Sequence, residues 1–100
     1  MPFGPDTLVY KVGGKMFAVT PLRGGTVTLK CDPGWAEALR AQHAGIRPGY
    51  HTNKRHWNTV QLDGSVPAEL VLEMLEHSYT VVVDSLPRRE REALRSGSAS

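Results

Sequence analysis

A Gly-Gly pair near the start of the chain constrains the fold more than any other feature of the sequence. Gly13 and Gly14 separate two runs rich in β-forming residues, 7–12 and 15–20. A two-residue loop between antiparallel strands takes positive φ at its central positions, which glycine adopts without steric cost. The pattern therefore predicts a β-hairpin. Pro21 is predicted to end the second strand, because proline has no backbone N–H to donate.

Two more strands are predicted further along the chain. The third covers residues 26–31, after a turn at Arg23, Gly24 and Gly25, and the fourth covers residues 58–62. Side chains alternate between the two faces of a strand. On the third strand this predicts a buried face of Val27, Leu29 and Cys31, and a solvated face of Thr26, Thr28 and Lys30. On the fourth it places Asn58, Val60 and Leu62 on one face, with Trp57, Thr59 and Gln61 on the other.

Two helices are predicted as well. Asp32 and Pro33 form a good start for the first, since aspartate caps free amides and proline suits the first helical position. This helix is expected to reach residue 42 or 43, with Gly45 as its stop. The second is predicted from Pro67 to about residue 86. Its apolar residues recur at helical spacing, and no turn residue precedes the β-branched run 80–83.

Together these elements predict an α+β fold with two layers. An antiparallel sheet, made of a three-stranded meander plus a fourth strand, is expected to pack on the helices. One hundred residues indicate one domain, predicted over residues 1–87. The arginine-containing tail, residues 88–100, is predicted to be disordered. A single cysteine and the lack of a leader or a membrane-length apolar run predict a cytoplasmic protein without a membrane partner.

Charge is divided unevenly along the chain. Residues 7–62 contain eight lysines and arginines against two acidic residues, whereas residues 63–84 contain five acidic residues and no lysine or arginine. One interpretation is that the basic part faces a polyanion. The other is that an acidic helix complements a basic sheet. The sequence leaves both open.

The stretch from residue 49 to residue 59, GYHTNKRHWNT, contains two histidines, two adjacent cations and two aromatic residues. A simple turn needs no such large side chains, and loops that carry them are often recognition loops. Lys54 and Arg55 would neutralise phosphates, while His56 and Trp57 would offer a flat surface for a base or sugar. This interpretation predicts a nucleic-acid contact.

The alternative interpretation of the same stretch is structural. Tyr50 and Trp57 would then be core anchors, and Asn53 and Asn58 would hydrogen-bond backbone groups, as asparagines in turns do. The sequence does not decide between a recognition loop and a scaffold.

No catalytic, cofactor-binding or metal-binding residue is predicted. His51 and His56 do not form the paired ligand spacing of a zinc motif. Cys31 lies on the predicted apolar face of a strand, and although Lys30 or a loop histidine could act as its base, no sequence signature indicates such a pair. The glycine pairs lie in hairpin turns and not before a helix, so they are no phosphate loop. We therefore expect a non-enzymatic protein.

Five segments of the chain, taken in order, form a combination typical of one family. They are residues 2–6 (PFGPD), 9–18 (VYKVGGKMFA), 29–33 (LKCDP), 48–51 with 53–59 (PGYH and NKRHWNT) and 77–79 (HSY). Through them the chain resembles the MmcQ/YjbR family of small bacterial proteins over residues 2–86. The resemblance implies a CyaY-like α/β fold with an antiparallel sheet packed on helices, and a double-wing arrangement described as DNA-binding.

The resemblance and the charges together predict a DNA-binding module. The hairpin tips at residues 13–14 and 23–25 would act as wings. The candidate contact residues are Lys11, Lys15, Arg23, Lys30, Lys54, Arg55, His56 and Trp57. The alternative is a module that binds a protein partner or a small ligand and no nucleic acid.

The resemblance also implies a helical segment ahead of residues 2–6, where this sequence begins. Without that family helix, apolar sheet surface is expected to be uncovered. Uncovered apolar surface of this kind predicts self-association.

Overall fold

The computed structural model describes residues 6–49 and 52–98, and side chains as far as residue 94. Within these residues the chain forms five strands and three helices. They are β1 (Thr7–Val12), β2 (Lys15–Pro21), β3 (Thr26–Lys30), α1 (Pro33–Gln42), β4 (Ile46–Pro48), β5 (Trp57–Gln61), α2 (Ala68–Asp84) and α3 (Arg88–Ser98). The predicted α+β class with an antiparallel sheet packed on helices is confirmed.

The five strands form one antiparallel sheet in the order β1-β2-β3-β5-β4. The predicted hairpin is present, with φ of 57° at Gly13 and 78° at Gly14. Strand β4 was not predicted, because it has three residues and ends in a proline, too short for alternation to show. It forms the second edge of the sheet, where its pairing with β5 matches Ile46 to Val60.

Helices α1 and α2 both pack on one face of the sheet, which we call the helix face. A single buried cluster joins strand residues such as Leu29 and Val60 to Leu39 of α1 and Met74 of α2. Burying this apolar surface supplies most of the stability of a domain this small. The opposite face of the sheet, the second face, carries the alternate residues of each strand.

The second face was predicted to be solvated on β3, and that prediction is wrong at Thr28. This residue is only 6% exposed, in the middle of the sheet. Its hydroxyl lies 2.8 Å from the Thr59 hydroxyl on β5, directly across the strands. The pair satisfies both hydroxyls, so burial costs little.

Helix α1 starts where the sequence predicts. The Asp32 carboxylate accepts hydrogen bonds from the N–H groups of Gly34 (3.1 Å) and Trp35 (3.3 Å), as a helix cap does. The helix ends one residue before its C-cap, His43, so Gly45 is not the stop. A Cβ on Gly45 would lie 2.5 Å from Ser65 Oγ, and close packing accounts for the glycine there.

The β1–β2 ladder contains a register shift. Tyr10 pairs with Ala18, but the next residue of β1 pairs with Met16, which leaves Phe17 as an extra residue on β2. An extra residue in one strand disrupts the ladder locally and turns its side chain out of the usual alternation. Phe17 packs against the main core cluster and meets the Tyr79 ring of α2 edge-on, with centroids 5.3 Å apart.

Ser78 of α2 is fully buried beside this irregularity. Its hydroxyl donates to the Phe17 carbonyl (2.5 Å) and accepts from the Lys30 N–H (2.9 Å). The adjacent His77 Nε2 accepts from the Asp32 N–H (3.1 Å), at the start of α1. The His-Ser-Tyr segment that carries the family resemblance therefore docks α2 onto the sheet and onto α1.

The predicted disordered tail is helical in the structure over Arg88–Ser98. Pro87 precedes this helix, and its carbonyl accepts from the Arg91 N–H (3.1 Å), which starts the first turn. Arg88 Nε lies 3.0 Å from Glu92 Oε1, one turn later. This ion pair is exposed, so it adds only a few tenths of a kcal/mol.

Candidate nucleic-acid interface

The sheet topology places three connections at one end of the sheet, which we call the loop end. Strands β1 and β3 run parallel to each other, and β5 runs opposite to both. The β1–β2 tip, the β3–α1 connection and the β4–β5 loop therefore lie together. The β2–β3 turn lies at the far end, a strand length away.

Seven of the eight candidate residues belong to the loop end or to the strand segments that lead into it. They are Lys11, Lys15, Lys30, Lys54, Arg55, His56 and Trp57. Arg23 is the exception, because it lies in the β2–β3 turn. The two hairpin tips predicted as wings are also at opposite ends, as consecutive hairpins of a meander must be. Hairpin tips placed in this way do not support the predicted pair of wings that straddle one DNA groove.

The β4–β5 loop is held mainly through its backbone. Asn53 Oδ1 accepts from the Arg55 N–H (3.0 Å), and the Asn53 carbonyl accepts from the His56 N–H (3.1 Å). Arg40 of α1 donates through Nη1 to the Lys54 carbonyl (2.8 Å). The His56 carbonyl accepts from the Cys31 N–H (2.7 Å). The loop is thus tied to α1 and to the end of β3, while the Lys54 and Arg55 side chains stay exposed.

Trp57 and Asn58 belong to the scaffold, as the structural interpretation predicts. Trp57 is 9% exposed and cannot stack on a base, which corrects its place among the recognition candidates. Asn58 is fully buried and donates through Nδ2 to the Ala36 carbonyl of α1 (3.3 Å). Asn53 holds the turn. The other predicted anchor, Tyr50, lies outside the described residues.

Gly49 is required by close packing at the start of the loop. Its N–H donates to the Trp57 carbonyl (2.8 Å). A Cβ at this position would lie 2.6 Å from the Trp57 Cβ and would also collide with Thr52. No side chain fits there without moving the backbone of β5.

We expect Gly49→Ala to lower the free energy of unfolding by about 1–3 kcal/mol, because overpacking at a rigid site is destabilising. Urea denaturation followed by Trp fluorescence measures the change. Gly34→Ala in α1 is the comparison, because Gly34 has no positive φ and a Cβ there would meet only the Asp32 carboxylate, at 3.3 Å. An unchanged stability of Gly49→Ala would contradict the packing argument.

The cationic side chains of the loop end differ in the groups that they contact. Lys15 reaches the C-terminal end of α2, with Nζ 3.4 Å from Ser85 Oγ and 3.5 Å from the Ser85 carbonyl. Positive charge is favourable at that end of a helix. Among the described side chains, no carboxylate lies within 4.0 Å of Lys54 or Arg55. Both cations are therefore available to a phosphate.

The second face adds a cation that the sequence did not single out. Arg47 is exposed on β4 and lies opposite Thr59 of β5. Lys30 is half-buried on the same face, opposite Trp57. Arg47 was missed because β4 was missed, and no face can be assigned to a residue outside a predicted strand.

The Cys31 thiol is buried and poorly suited to nucleophilic chemistry. Its pKa is raised from 9.0 to about 11, mainly by burial and further by the Asp32 charge, with Arg40 opposing the shift in part. The thiolate, which is the nucleophile, is therefore scarce near neutral pH. Over the described ranges, no three His, Cys, Asp or Glu side chains converge on a point where a metal would bind.

The raised pKa of Cys31 predicts that stability falls as pH rises from 9 to 11. The unfolded thiol ionises near 9.0 and the folded thiol only near 11, so alkali favours the unfolded state in that window. The free energy of unfolding is expected to be lower by about 2–3 kcal/mol at the upper end of this pH window. Denaturant titrations across this window measure it, with Cys31→Ala as the reference. Parallel pH profiles for the two proteins would rule the effect out.

The chain is similar to several known proteins. Its sequence matches the family model for YjbR over residues 1–81. It is 37% identical over 98 residues to YbdF of Escherichia coli O157:H7, covering 96% of this chain and 80% of that protein. It is 46% identical over 68 residues to YjbR of Escherichia coli K12, covering 68% of this chain and 58% of that protein.

Solved structures give the same result. The crystal structure of Deinococcus radiodurans DR2400, a DUF419 domain, superposes with a TM-score of 0.86 at 45% identity and covers 94% of this chain and 74% of that one. A Pseudomonas syringae protein superposes with a TM-score of 0.66 at 30% identity, covering 77% of each chain.

The fold and the loop end define a small α+β protein with one antiparallel sheet, helices on one face and a cationic loop at one end. The chain belongs to the YjbR family. Among the described helices, none has both the length and the apolar character to cross a bilayer.

Proposed function

We propose that this protein is a non-enzymatic DNA-binding protein of the MmcQ/YjbR type that contacts the phosphate backbone through the loop end. The observation that supports this is the β4–β5 loop, whose backbone is tied to α1 and β3 while Lys54 and Arg55 project into solvent. A loop held this way offers two cations to a phosphate backbone at little further entropic cost. Lys30 and Lys11 lie on the strands that lead to the same end.

A titration against labelled duplex DNA, single-stranded DNA and RNA at several salt concentrations tests this function. Binding to duplex DNA that weakens steeply with salt is expected, since each neutralised phosphate releases counterions. A lack of duplex binding at low salt would reject the proposal. Stronger binding to single-stranded DNA or RNA than to duplex DNA would show that duplex DNA is not the preferred ligand.

A second function, the binding of a small ligand, is favoured by one cavity. It measures about 430 Å³ and is lined by Pro33, Gly34, Glu37, Arg40 and Arg55. Its mixed charges suit a ligand with both donor and acceptor groups. Arg55 belongs to both surfaces, so a ligand there would compete with DNA. Salt-insensitive binding of a small molecule, with no binding of nucleic acid, would favour this alternative.

A further inference from the structure

The two edges of the sheet are built differently. Strand β4 is three residues long, contains Pro48 and presents Arg47, all of which discourage pairing with another strand. Strand β1 has six residues and no proline, and its one charge is Lys11. Among the strands that the structure describes, none pairs with the outer side of β1. That edge is open to strand addition.

The side chains beside this edge are apolar and exposed. Leu8 and Tyr10, which share the helix face with Ala18, are 42% and 48% exposed. We call the unpaired outer side of β1, together with the exposed Leu8 and Tyr10 side chains, the β1 edge surface.

We propose that the β1 edge surface is a homodimer interface, in which β1 pairs antiparallel with β1 of a second copy about a twofold axis at Val9. A twofold interface must be complementary to itself. With Val9 opposite Val9, Leu8 of each copy lies opposite Tyr10 of the other on the helix face. Each of residues 7–11 then pairs with a residue of the other copy that lies on the same face of the sheet.

Charge and geometry favour this register over its neighbours. A shift of one residue in either strand would place the helix-face residues of one copy opposite second-face residues of the other. Centring the pair on Tyr10 would place Lys11 opposite Val9, with the two lysines on neighbouring diagonal positions. Centring it on Val9 places Lys11 opposite Thr7 and separates the lysines by four residues, roughly 14 Å.

The second copy is the occupant that the β1 edge surface fits. Strand addition uses backbone groups for affinity and alternating side chains for specificity, and here the alternation matches itself. A polyanion is disfavoured, because Lys11 is the only charge on the strand. This inference does not depend on nucleic-acid binding, since Lys54 and Arg55, which carry the DNA contact proposed at the loop end, lie outside β1. Lys11 is the one residue that the two surfaces share.

Disulfide trapping in the full 100-residue chain tests the register. Val9→Cys is expected to form a covalent dimer under mild oxidation, because the twofold axis brings the two cysteines opposite each other within disulfide reach. Thr7→Cys, on the same face of the same strand, is the matched control. Its two cysteines would be roughly 14 Å apart, beyond that reach. The native Cys31 is buried, and the unmodified protein measures how much covalent dimer this cysteine forms by itself.

Mass measurement provides the second readout. Light scattering across a concentration series is expected to approach twice the 11.0 kDa of one chain, in low and in high salt. Tyr10→Lys should weaken dimerisation about tenfold or more, because the exposed tyrosine of the monomer becomes buried in the dimer. A monomer mass throughout, or equal trapping of the two cysteine variants, would overturn the proposal.

Discussion

Replacing Lys54 and Arg55 together by alanine is expected to weaken duplex DNA binding about 50-fold at 0.1 M salt. Each phosphate contact contributes nearly one unit to the slope of log K against log salt, so losing two contacts lowers the slope by about two. At 1 M salt counterion release contributes little, so the two proteins should bind DNA about equally well there. A slope lower by about two units then makes the variant's binding about 50-fold weaker at 0.1 M salt. Fluorescence anisotropy across a salt series measures both quantities.

The structure indicates that this double variant will keep its loop. Arg40 bonds the carbonyl of residue 54, and Asn53 bonds the N–H of residue 55, so both contacts survive replacement of the side chains. Exposed substitutions of this kind change stability by less than about 0.5 kcal/mol.

Arg23→Ala is the matched control, because it removes an exposed cation at the opposite end of the sheet. We expect it to leave the salt slope unchanged. An equal loss of slope for Arg23→Ala would mean that binding is spread over the whole surface and is not centred on the loop end.

Replacing Ser78 by alanine is expected to lower the free energy of unfolding by about 2–4 kcal/mol. The hydroxyl joins the Phe17 carbonyl to the Lys30 N–H at the register shift, and its loss leaves both backbone groups without that partner. An unsatisfied buried donor or acceptor costs about 1–3 kcal/mol. Urea denaturation measures the change.

Ser85→Ala, at the C-cap of the same helix, is the control. The Ser85 hydroxyl donates to the Val82 carbonyl, but the residue is exposed, so water replaces the lost bond and a cost below about 1 kcal/mol is expected. If Ser78→Ala cost no more than Ser85→Ala, the Ser78 hydroxyl would not be the link between α2 and the sheet.

Local chemistry made much of the fold predictable. Glycines at positive φ, a capping aspartate before a proline and apolar residues at helical spacing each act over a few neighbouring residues. The hairpin at Gly13, the start of α1 and the unbroken run of α2 follow from them. Strand β4 and helix α3 could not be predicted in this way. A three-residue strand is too short to show periodicity, and a polar helix has no apolar stripe.

The loop end shows why the candidate site was only partly predictable. The sequence marked residues 49–59 as unusual, but it did not separate the side chains that hold the loop from those it presents. Burial makes that separation, since Trp57 and Asn58 face inward while Lys54 and Arg55 face solvent.

The sequence by itself determined the strands of the meander, the two main helices and the membership of a family, because these depend on local preferences and on short motifs. Only the tertiary structure decided which cations share one end of the sheet and that Arg23 lies at the other. Strand order and direction set those distances, and they depend on contacts between residues far apart in the chain, such as Ser78 with Lys30.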